Sequence, residues 1–238
     1  MLDLDHILPL FDREMRIEIS PPPGFHREET PEVIRHVHES RPVGYILYAH
    51  FDYDQSDRVI EEQIRYFGDL GKRFEWKFYA HDYPANLRCQ LRGHGLTAEE
   101  PEALMVLDLE HASGSLFEPV TLDVRPVETA EQYAEVLAIQ QTVWKDDYEW
   151  LVEEIQEEKS RTPDLLHIFI AYHEGEPACT AWLRLHPGTH FASFWGGSTV
   201  EKYRGRGLYR ALVAVRAQIA KAYGARYLMV EASPMSRP

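Results

Sequence analysis

One stretch decides how this chain folds, Thr199-Val200-Glu201-Lys202-Tyr203-Arg204-Gly205-Arg206-Gly207-Leu208-Tyr209-Arg210-Ala211-Leu212. The residues before it, 190–200, are rich in aromatic and β-branched side chains, a composition that predicts a β-strand. The residues after it predict an amphipathic helix, because apolar side chains recur at helical spacing, at Leu208, Leu212, Val215 and Ile219. The four residues 204–207 therefore form a strand-to-helix turn.

This turn has the properties of an anion site. Gly205 and Gly207 lack a Cβ, so the backbone there can adopt positive φ and let a ligand approach closely. The first amides of the following helix have no internal acceptor, and the helix dipole makes that end positive. Such a helix start suits phosphate. Basic side chains add to it, at Lys202, Arg204, Arg206 and Arg210.

Other glycine-rich turns must be weighed against this interpretation. The dinucleotide-binding fingerprint requires a third glycine, and Arg210 stands in its place. The nucleoside-triphosphate loop requires Gly-Lys-Ser/Thr, which is absent from the sequence. A turn with a purely structural role, beside an ordinary solvated run of charges, stays open on the glycines alone.

The whole phrase resembles the acyl-coenzyme A signature of the GNAT acetyltransferase superfamily, an Arg or Gln followed by x-x-Gly-x-Gly/Ala. Arg204, Gly207 and Tyr209 occupy these places, and Tyr209 departs from the pattern because the family usually has Gly or Ala there. The preceding Gly196-Gly197-Ser198-Thr199 is also similar to one branch of the superfamily. The resemblance covers residues 122–238 and concerns fold and cofactor more than the acyl acceptor.

The resemblance implies a fold and a co-substrate. The fold is α/β in the broad sense (α+β): a mixed, mostly antiparallel sheet flanked by helices. The co-substrate is acetyl-coenzyme A, with its pantetheine arm along the central strand and its pyrophosphate on the turn. The residues implied in binding are Ser198, Thr199 and Val200 for the arm, and Arg204, Gly205, Arg206, Gly207, Leu208, Tyr209 and Arg210 for the pyrophosphate. A backbone amide near Val200 is expected to polarise the thioester carbonyl.

The proton acceptor is harder to identify. Family members often use a glutamate on the central strand, and residues 190–200 contain none. His190, at the start of that strand, and Glu231, at the end of the next, are the catalytic candidates. Ordinary surface roles are the alternative for both. The loop at Asp146-Asp147-Tyr148 occupies the place where the family often recognises acceptors, with a solvated loop as its alternative.

Metal and thiol chemistry are not expected. No His-Glu-x-x-His helix is present, so a catalytic metal is not predicted. Cys89 and Cys179 are far apart and without metal-ligand spacing, which predicts reduced thiols, and Cys179 lacks a recognisable catalytic partner.

Composition narrows the choice of partners and location. The 238 residues carry a net charge of −14, which argues against nucleic acid or an anionic membrane as a general partner. No apolar run has the length of a membrane span, and the acidic N-terminus lacks a signal-peptide pattern. We expect a soluble, cytoplasmic monomer or homodimer whose partners are acetyl-coenzyme A and an amine-bearing small molecule or protein.

The two halves of the chain share a local order of elements. In each half a striped helix ends at a glycine, Gly71 or Gly224, and an aromatic residue follows three positions later. This weak repeat predicts tandem domains: residues 1–115 as a degenerate GNAT-like domain without a cofactor motif, and residues 120–238 as the acetyltransferase domain. Asp54-Gln55-Ser56-Asp57 stands in the first half where the basic turn stands in the second. An unrelated α+β cap is the alternative for the first half.

Three local predictions in the first half bear on this division. Residues 15–20 alternate like a strand, and residues 31–38 suggest a helix with Thr30 as N-cap. Residues 104–109 read as a strand of the first half, followed by a linker at 110–121.

The C-terminal domain is expected to be cut short. The strand at 227–230 would be an exposed sheet edge if no further element followed it. The superfamily fold normally adds another helix and one or two strands, so we expect about 25–40 more residues in the natural protein. Another segment or a partner chain filling the gap is the alternative.

These observations favour an acetyl-coenzyme A-dependent N-acetyltransferase that acts on a primary amine. A second hypothesis is a non-catalytic acyl-coenzyme A-binding or interaction protein, motivated by Tyr209 and by the lack of a carboxylate on the central strand. A third and weaker one is aminoacyl transfer from tRNA by tandem domains of this type, against which the acidic charge weighs.

Overall fold

The computed structural model describes residues 3–236. The chain forms two compact units that divide between Pro101 and Glu102. We describe each unit by itself.

The N-terminal unit is a four-stranded sheet with helices. Its elements are α1 (Leu4–Phe11), which continues into a π-helical segment (Asp12–Ile17), then β1 (Phe25–Glu29), β2 (Val33–His38), β3 (Val43–Ala49), α2 (Ser56–Asp69), β4 (Arg73–Trp76) and α3 (Leu87–Gly93). The strand order is β1-β2-β3-β4. The first three strands are antiparallel, and β4 runs parallel to β3 because α2 carries the chain across the sheet. The core gathers Val37, Ile46, Ile60 and Phe67.

Two sequence predictions in this unit are wrong. Residues 15–20, expected as a strand, begin with the end of the helical segment, where helical spacing brings Arg16 within 2.7 Å of Asp12. Residues 31–38, expected as a helix, contain strand β2, all six residues of which are buried. Pairing on both edges of β2 outweighs a local helix signal, and the hydroxyl of Thr30 accepts from the amide of Val33 in a turn instead of capping a helix.

The C-terminal unit is a six-stranded sheet between helices. Its elements are β5 (Ala103–Asp108), β6 (Val124–Pro126), α4 (Ala130–Trp144), α5 (Glu149–Arg161), β7 (Leu166–His173), β8 (Glu176–Leu185), β9 (Phe191–Thr199), α6 (Leu208–Tyr223) and β10 (Tyr227–Ala232). The strand order is β5-β10-β9-β8-β7-β6, and only the β9–β10 pair among the described strands of this sheet is parallel.

The two faces of this sheet bury different helices. Side chains alternate along β7, so Ile168 and Ile170 pack with α4 and α5 on one face. Phe169 and Ala171 point to the other face, where they pack with Leu208 of α6. The central strands are therefore buried on both sides, and helix α6 covers the face opposite to α4 and α5.

Strand β5 corrects the predicted division of the chain. Residues 103–108 pair antiparallel with β10 along its whole length, from Ala103 opposite Ala232 to Asp108 opposite Tyr227. The strand that was assigned to the first half thus belongs to the second sheet, and the division lies before it instead of at 110–121. The edge of β10 is covered by another segment of the same chain, which was the alternative to a longer C-terminus. Where the superfamily fold would add a helix after this strand, the described residues form a single 3₁₀ turn at Pro234–Ser236, and residues 237–238 lie outside the described residues.

The predicted fold class is confirmed: both sheets are mixed and mostly antiparallel, with helices on their faces.

Candidate functional site

The central strands of the C-terminal sheet separate part of the way along their length. Strand β9 pairs with β10 at three positions, from Phe191–Tyr227 to Ser193–Met229. Beyond Ser193, β9 keeps β8 on one edge while β10 continues beside β5. The other edge of β9 faces none of the described strands there. We call this opening between residues 194–199 and β10 the splay.

The backbone groups that face the splay follow from the pairing with β8. The amide of Val200 donates to the carbonyl of Ala178 at 3.0 Å, so it points to β8 and away from the splay. This corrects the expectation that the Val200 amide would polarise a carbonyl. Because backbone groups alternate along a strand, the N–H and C=O of Thr199 face the splay. The carbonyl of Thr199 accepts there from Nε of Arg204, at 3.3 Å.

A bulge shapes the β9 side of the splay. Thr180 lies opposite Ser198 and Trp182 opposite Trp195, so β9 has one residue more than β8 over this interval. Gly196 adopts φ of 61° at the bulge, and a Cβ there would lie 1.8 Å from the ring of Trp182. The site therefore requires glycine at this position.

Helix α4 holds the bulge through a buried polar network. Gln140 donates from Nε2 to the carbonyl of Gly196 at 2.9 Å and accepts the hydroxyl of Ser198 at 3.0 Å. The same hydroxyl accepts from the indole of Trp144 at 2.8 Å. Gln140, which interrupts the apolar stripe of its helix in the sequence, is thus a buried support for β9.

The turn after β9 leaves a run of amides without backbone partners. Gly205 and Gly207 have φ of 74° and 79°, the left-handed conformation that the sequence predicts for them. No described residue accepts a backbone hydrogen bond from the amides of residues 205–210, and the first amide to donate is that of Ala211, to Gly207. Gly207 is the N-cap of α6 and has no side chain to cap it.

Positive charge surrounds this turn. Four exposed cations stand within or beside it, at Lys202, Arg204, Arg206 and Arg210. Arg206 donates to Nε2 of His173 at 2.9 Å, which requires that nitrogen to be unprotonated. The guanidinium charges and the helix dipole have the same sign, so they reinforce one another for an anion.

Tyr209, the departure from the family pattern, does not lie over the glycine turn. A Cβ on Gly197 would be 2.7 Å from its ring, so the ring packs directly on the backbone of β9. The side chain keeps 43% of its surface exposed. Gly197 provides the space that this tyrosine occupies.

The two catalytic candidates lie at different ends of β10. Glu231 is half-buried on β10, opposite Leu104, at the end where β9 and β10 have separated. The carbonyl of His190 accepts from the amides of Arg226 and Tyr227, at the end where the strands are paired. Four residues of strand separate these places, roughly 13 Å. The structure does not bring the two side chains together.

The loop between α4 and α5 presents acidic and aromatic side chains. Asp146 and Asp147 are exposed, and Asp147 accepts from the amide of Glu149 at the start of α5. The ring of Tyr148 stacks on that of Trp150, at 6.3 Å between centroids. Trp150 is largely exposed.

The cysteines and acidic clusters lie outside the candidate chemistry. Burial raises the pKa of Cys179 to about 11, and its Sγ lies 3.0 Å from the hydroxyl of Thr199. A neutral, buried thiol is a packing group, and no disulfide joins it to the exposed Cys89. Among the described residues, atoms that could ligate a metal are clustered at Asp12, His81 and Asp82 in the N-terminal unit and at Asp108, Glu110 and His111 in the C-terminal unit, and ion pairs with Arg16 and Arg226 account for these clusters.

Comparison with known proteins identifies the family of the C-terminal unit. Residues 130–235 match the model of the Acetyltransferase (GNAT) family, so this unit carries a GNAT acetyltransferase domain. No curated protein sequence matches the chain. The longest helices among the described residues lack the length and apolar character that a membrane crossing requires.

Solved structures share the fold over nearly the whole chain. A GCN5-related N-acetyltransferase from Kribbella flavida superposes with a TM-score of 0.66 at 16% identity, covering 98% of this chain and 84% of that one. A tandem GNAT protein from the clavulanic acid biosynthesis pathway gives 0.61 at 13% identity, covering 93% of this chain and 78% of that one. A functionally unknown conserved protein from Staphylococcus epidermidis gives 0.65 at 14% identity, covering 88% and 84%. At these identities the likeness concerns the fold.

Proposed function

We propose that the C-terminal unit is an acetyl-coenzyme A-dependent N-acetyltransferase that transfers an acetyl group to a primary amine. One observation carries the proposal: six successive amides, those of residues 205–210, have no backbone acceptor where α6 begins beside the splay. An array of this kind, with exposed arginines around it, fits a pyrophosphate.

The binding roles follow from these positions. The amides of residues 205–210 hold the pyrophosphate, and Arg204 adds a charge-assisted contact. The pantetheine arm lies along the free edge of β9, where the N–H and C=O of Thr199 face the splay. Ser198 contributes through its side chain, which fixes the bulge from the α4 side. Val200 contributes by anchoring the end of β9 to β8.

The chemistry requires few groups. The nitrogen of a neutral amine attacks the thioester carbonyl carbon, the C–N bond forms and the C–S bond breaks. One proton leaves the nitrogen for a base, and the departing thiolate takes up a proton. A strand amide on the splay side of β9, at the end of the arm, polarises the carbonyl.

We assign the proton acceptor to Glu231, acting directly or through a water molecule. It stands on β10 at the end where the strands have separated, across the splay from β9. His190 stays the second candidate, at the paired end. Replacing each with glutamine separates them: loss of the base lowers kcat by about 100-fold or more and leaves the affinity for acetyl-coenzyme A unchanged.

The proposal extends to the charge of the amine acceptor and to the role of the N-terminal unit. The acidic and aromatic loop at Asp146-Asp147-Tyr148 suits an amine that arrives as a cation, as does the net charge of −14. We place the protein in the cytoplasm. We interpret the N-terminal unit as a degenerate GNAT-like copy that binds no cofactor.

Calorimetric titration with acetyl-coenzyme A, followed by a broad amine panel, tests the proposal. We expect binding at micromolar to sub-millimolar concentration and acetylation of at least one amine. Lack of binding in that range would reject it. Binding without turnover of any amine would favour a non-catalytic acyl-coenzyme A-binding protein, which the absence of a carboxylate from Phe191–Thr199 supports. Binding of tRNA at low salt would revive aminoacyl transfer.

A further inference from the structure

An arginine lies in the core of the C-terminal unit. Arg216 stands in the middle of α6 on the side that packs on the sheet, and none of its surface is exposed. Leu212, one turn earlier, and Ala217, the next residue, are both fully buried among apolar side chains. The position is one that an apolar residue would ordinarily fill.

This buried cation has no counter-charge. Its Nε donates to the carbonyl of Leu212 at 2.9 Å and its Nη1 to that of Trp182 at 3.1 Å, while its Nη2 has no hydrogen-bond partner. No carboxylate among the described residues forms an ion pair with it. Burial lowers the pKa of Arg216 to about 10, although the neighbouring side chain of Tyr209 acts in the opposite direction, so the group is still protonated at neutral pH. An uncompensated buried charge is strongly destabilising, which calls for a reason beyond packing.

The guanidinium lies beside the narrow end of the splay. Its central carbon is 3.9 Å from the ring centroid of Phe194 and 5.8 Å from that of Tyr209. Phe194 is the first residue of β9 beyond its last pair with β10, and Tyr209 packs on the next part of the same strand. The unpaired charge therefore borders the splay from the α6 side.

This location corresponds to the far end of the co-substrate, an argument that rests on the proposed function. If the pyrophosphate lies on the turn, the arm runs back along β9 from Thr199 towards Phe194. Five residues of strand span roughly 17 Å. The acyl group ends that arm, and Arg216 stands beside the place where it ends.

We propose that Arg216 binds a carboxylate at the end of the acyl chain, so that the preferred donor is a coenzyme A thioester of a dicarboxylic acid. A guanidinium pairs with a carboxylate through two parallel hydrogen bonds, and its Nη2 is available for one of them. The transfer step is the one given above; the extra carboxylate neutralises Arg216 and takes no part in bond making.

Tyr209 and Phe194 close the guanidinium off from solvent. Tyr209 is half-exposed, so its ring borders solvent, into which it can turn to admit the acyl end. After binding, the ion pair lies in a water-poor environment, where a charge-assisted hydrogen bond is strongest.

Calorimetry with matched thioesters tests this specificity. We expect the wild-type protein to bind malonyl- and succinyl-coenzyme A about 10- to 100-fold more tightly than acetyl- and butyryl-coenzyme A. Arg216→Met removes the charge at similar length and should abolish the preference, bringing the affinities of the four thioesters within about threefold of one another. Lys221→Met removes an exposed charge from the same helix and should leave the preference intact.

Thermal unfolding gives a second readout. Arg216→Met should melt at the same temperature as the wild-type protein or higher, because it removes an unpaired buried charge. If the variant fails to fold, the comparison of the four thioesters on the wild-type protein still decides the question.

The outcomes separate the possible failures. If no thioester binds the wild-type protein, the proposed function falls and this inference with it. If acetyl-coenzyme A binds as tightly as the acidic thioesters, only the acyl assignment falls. An amino acid and its amide, compared as acceptors, then test the other source of a carboxylate: a KM that Arg216→Met raises for the free acid alone would assign the arginine to the acceptor. If Arg216→Met changes neither the affinities for the thioesters nor the KM of either acceptor, the inference is overturned.

Discussion

The two units place a helix between two parallel strands in the same way and differ at the start of that helix. In the N-terminal unit α2 joins β3 to the parallel β4, and in the C-terminal unit α6 joins β9 to the parallel β10. Both helices end beside a glycine with positive φ, Gly71 or Gly224. In both units the strand before the helix also has an antiparallel neighbour on its other edge.

The helix starts have opposite character. Asp52 and Gln55 form a capping box before α2, in which the amide of Asp52 donates to the side chain of Gln55 at 2.9 Å. The acidic Asp52 caps the 3₁₀ turn at Tyr53–Gln55 that leads into α2, and side chains of the chain itself partner the backbone there. At α6 the cap is Gly207, and the amides have no such partner. The same architecture thus has a helix start that its own side chains close in one unit and a helix start with free amides in the other.

The largest effect is expected from placing a carboxylate at the cap of α6, like that of Asp52 in the turn before α2. Gly207→Asp should weaken acetyl-coenzyme A binding by about 100-fold or more, because a carboxylate at the cap repels the pyrophosphate and competes for the amides. Calorimetric titration measures the loss.

Gly207→Asn is the matched control for that variant. Both side chains tolerate a φ near 79° better than others do, and they have nearly the same shape. The Gly207→Asn variant should therefore bind acetyl-coenzyme A more tightly than the Gly207→Asp variant, by most of the predicted factor of about 100. Equal affinities would mean that shape or backbone strain, and not charge, matters at the cap.

A smaller effect is expected from the arginine at the start of the turn. Arg204→Ala should weaken binding by about 1–3 kcal/mol, the range for losing a charge-assisted hydrogen bond, and should reduce the dependence of binding on salt. Lys202→Ala removes an equal charge two residues earlier and should have the smaller effect. If the two variants behave alike, the basic residues act as a diffuse field without a specific contact.

Local patterns predicted the parts of the fold that local chemistry determines. The strand, glycine turn and striped helix at 190–223 appear with the predicted conformations, since φ preference and apolar spacing are properties of neighbouring residues. Helix α2, the striped helix that precedes Gly71, follows in the same way.

The strands that the sequence did not predict correctly depend on pairing between residues that are far apart in the chain. Strand β2 reads locally as a capped helix and becomes a strand because β1 and β3 pair with it. Strand β5 lies about half the chain away from its partner β10, and no local signal announces that pairing. The role of Gln140 and the burial of Arg216 depend on the same long-range packing, although a polar residue within an apolar stripe is the signal that could have drawn attention to both.

The hydrogen bonds by which Gln140 holds β9 beside the splay can be removed by substitution. Gln140→Leu should destabilise this unit by about 1–3 kcal/mol, because it leaves the carbonyl of Gly196 and the hydroxyl of Ser198 with unmet hydrogen bonds. Gln141→Leu, the exposed neighbour, should be nearly neutral. Hydrogen exchange of the amides in β9 gives the local free energy, and equal protection in the two variants would contradict the supporting role.

Each unit also contains a histidine whose pKa is lowered by desolvation, and we expect both to make stability depend on pH in acid. Burial lowers the pKa of His36 in β2 to about 4, with the charge of Arg27 acting in the same direction. Burial lowers the pKa of His186, after β8, to about 4 as well. The two differ in partners, because Nε2 of His36 has none while that of His186 lies 2.8 Å from the hydroxyl of Ser193.

The sign follows from proton counting. Between pH 6.5 and 4 the unfolded chain protonates each histidine and the folded chain does not, so the free energy of unfolding falls as the pH falls through this window. At pH 5 the loss is at most about 2 kcal/mol for each histidine, and above pH 6.5 it disappears. His36→Leu should flatten this dependence for the amides of β2, measured by hydrogen exchange from pH 7 to 5, while β9 keeps its slope. A slope in β2 that the substitution leaves unchanged would assign the acid sensitivity of that unit to other groups, the carboxylates paired with Arg16 and Arg35 first among them.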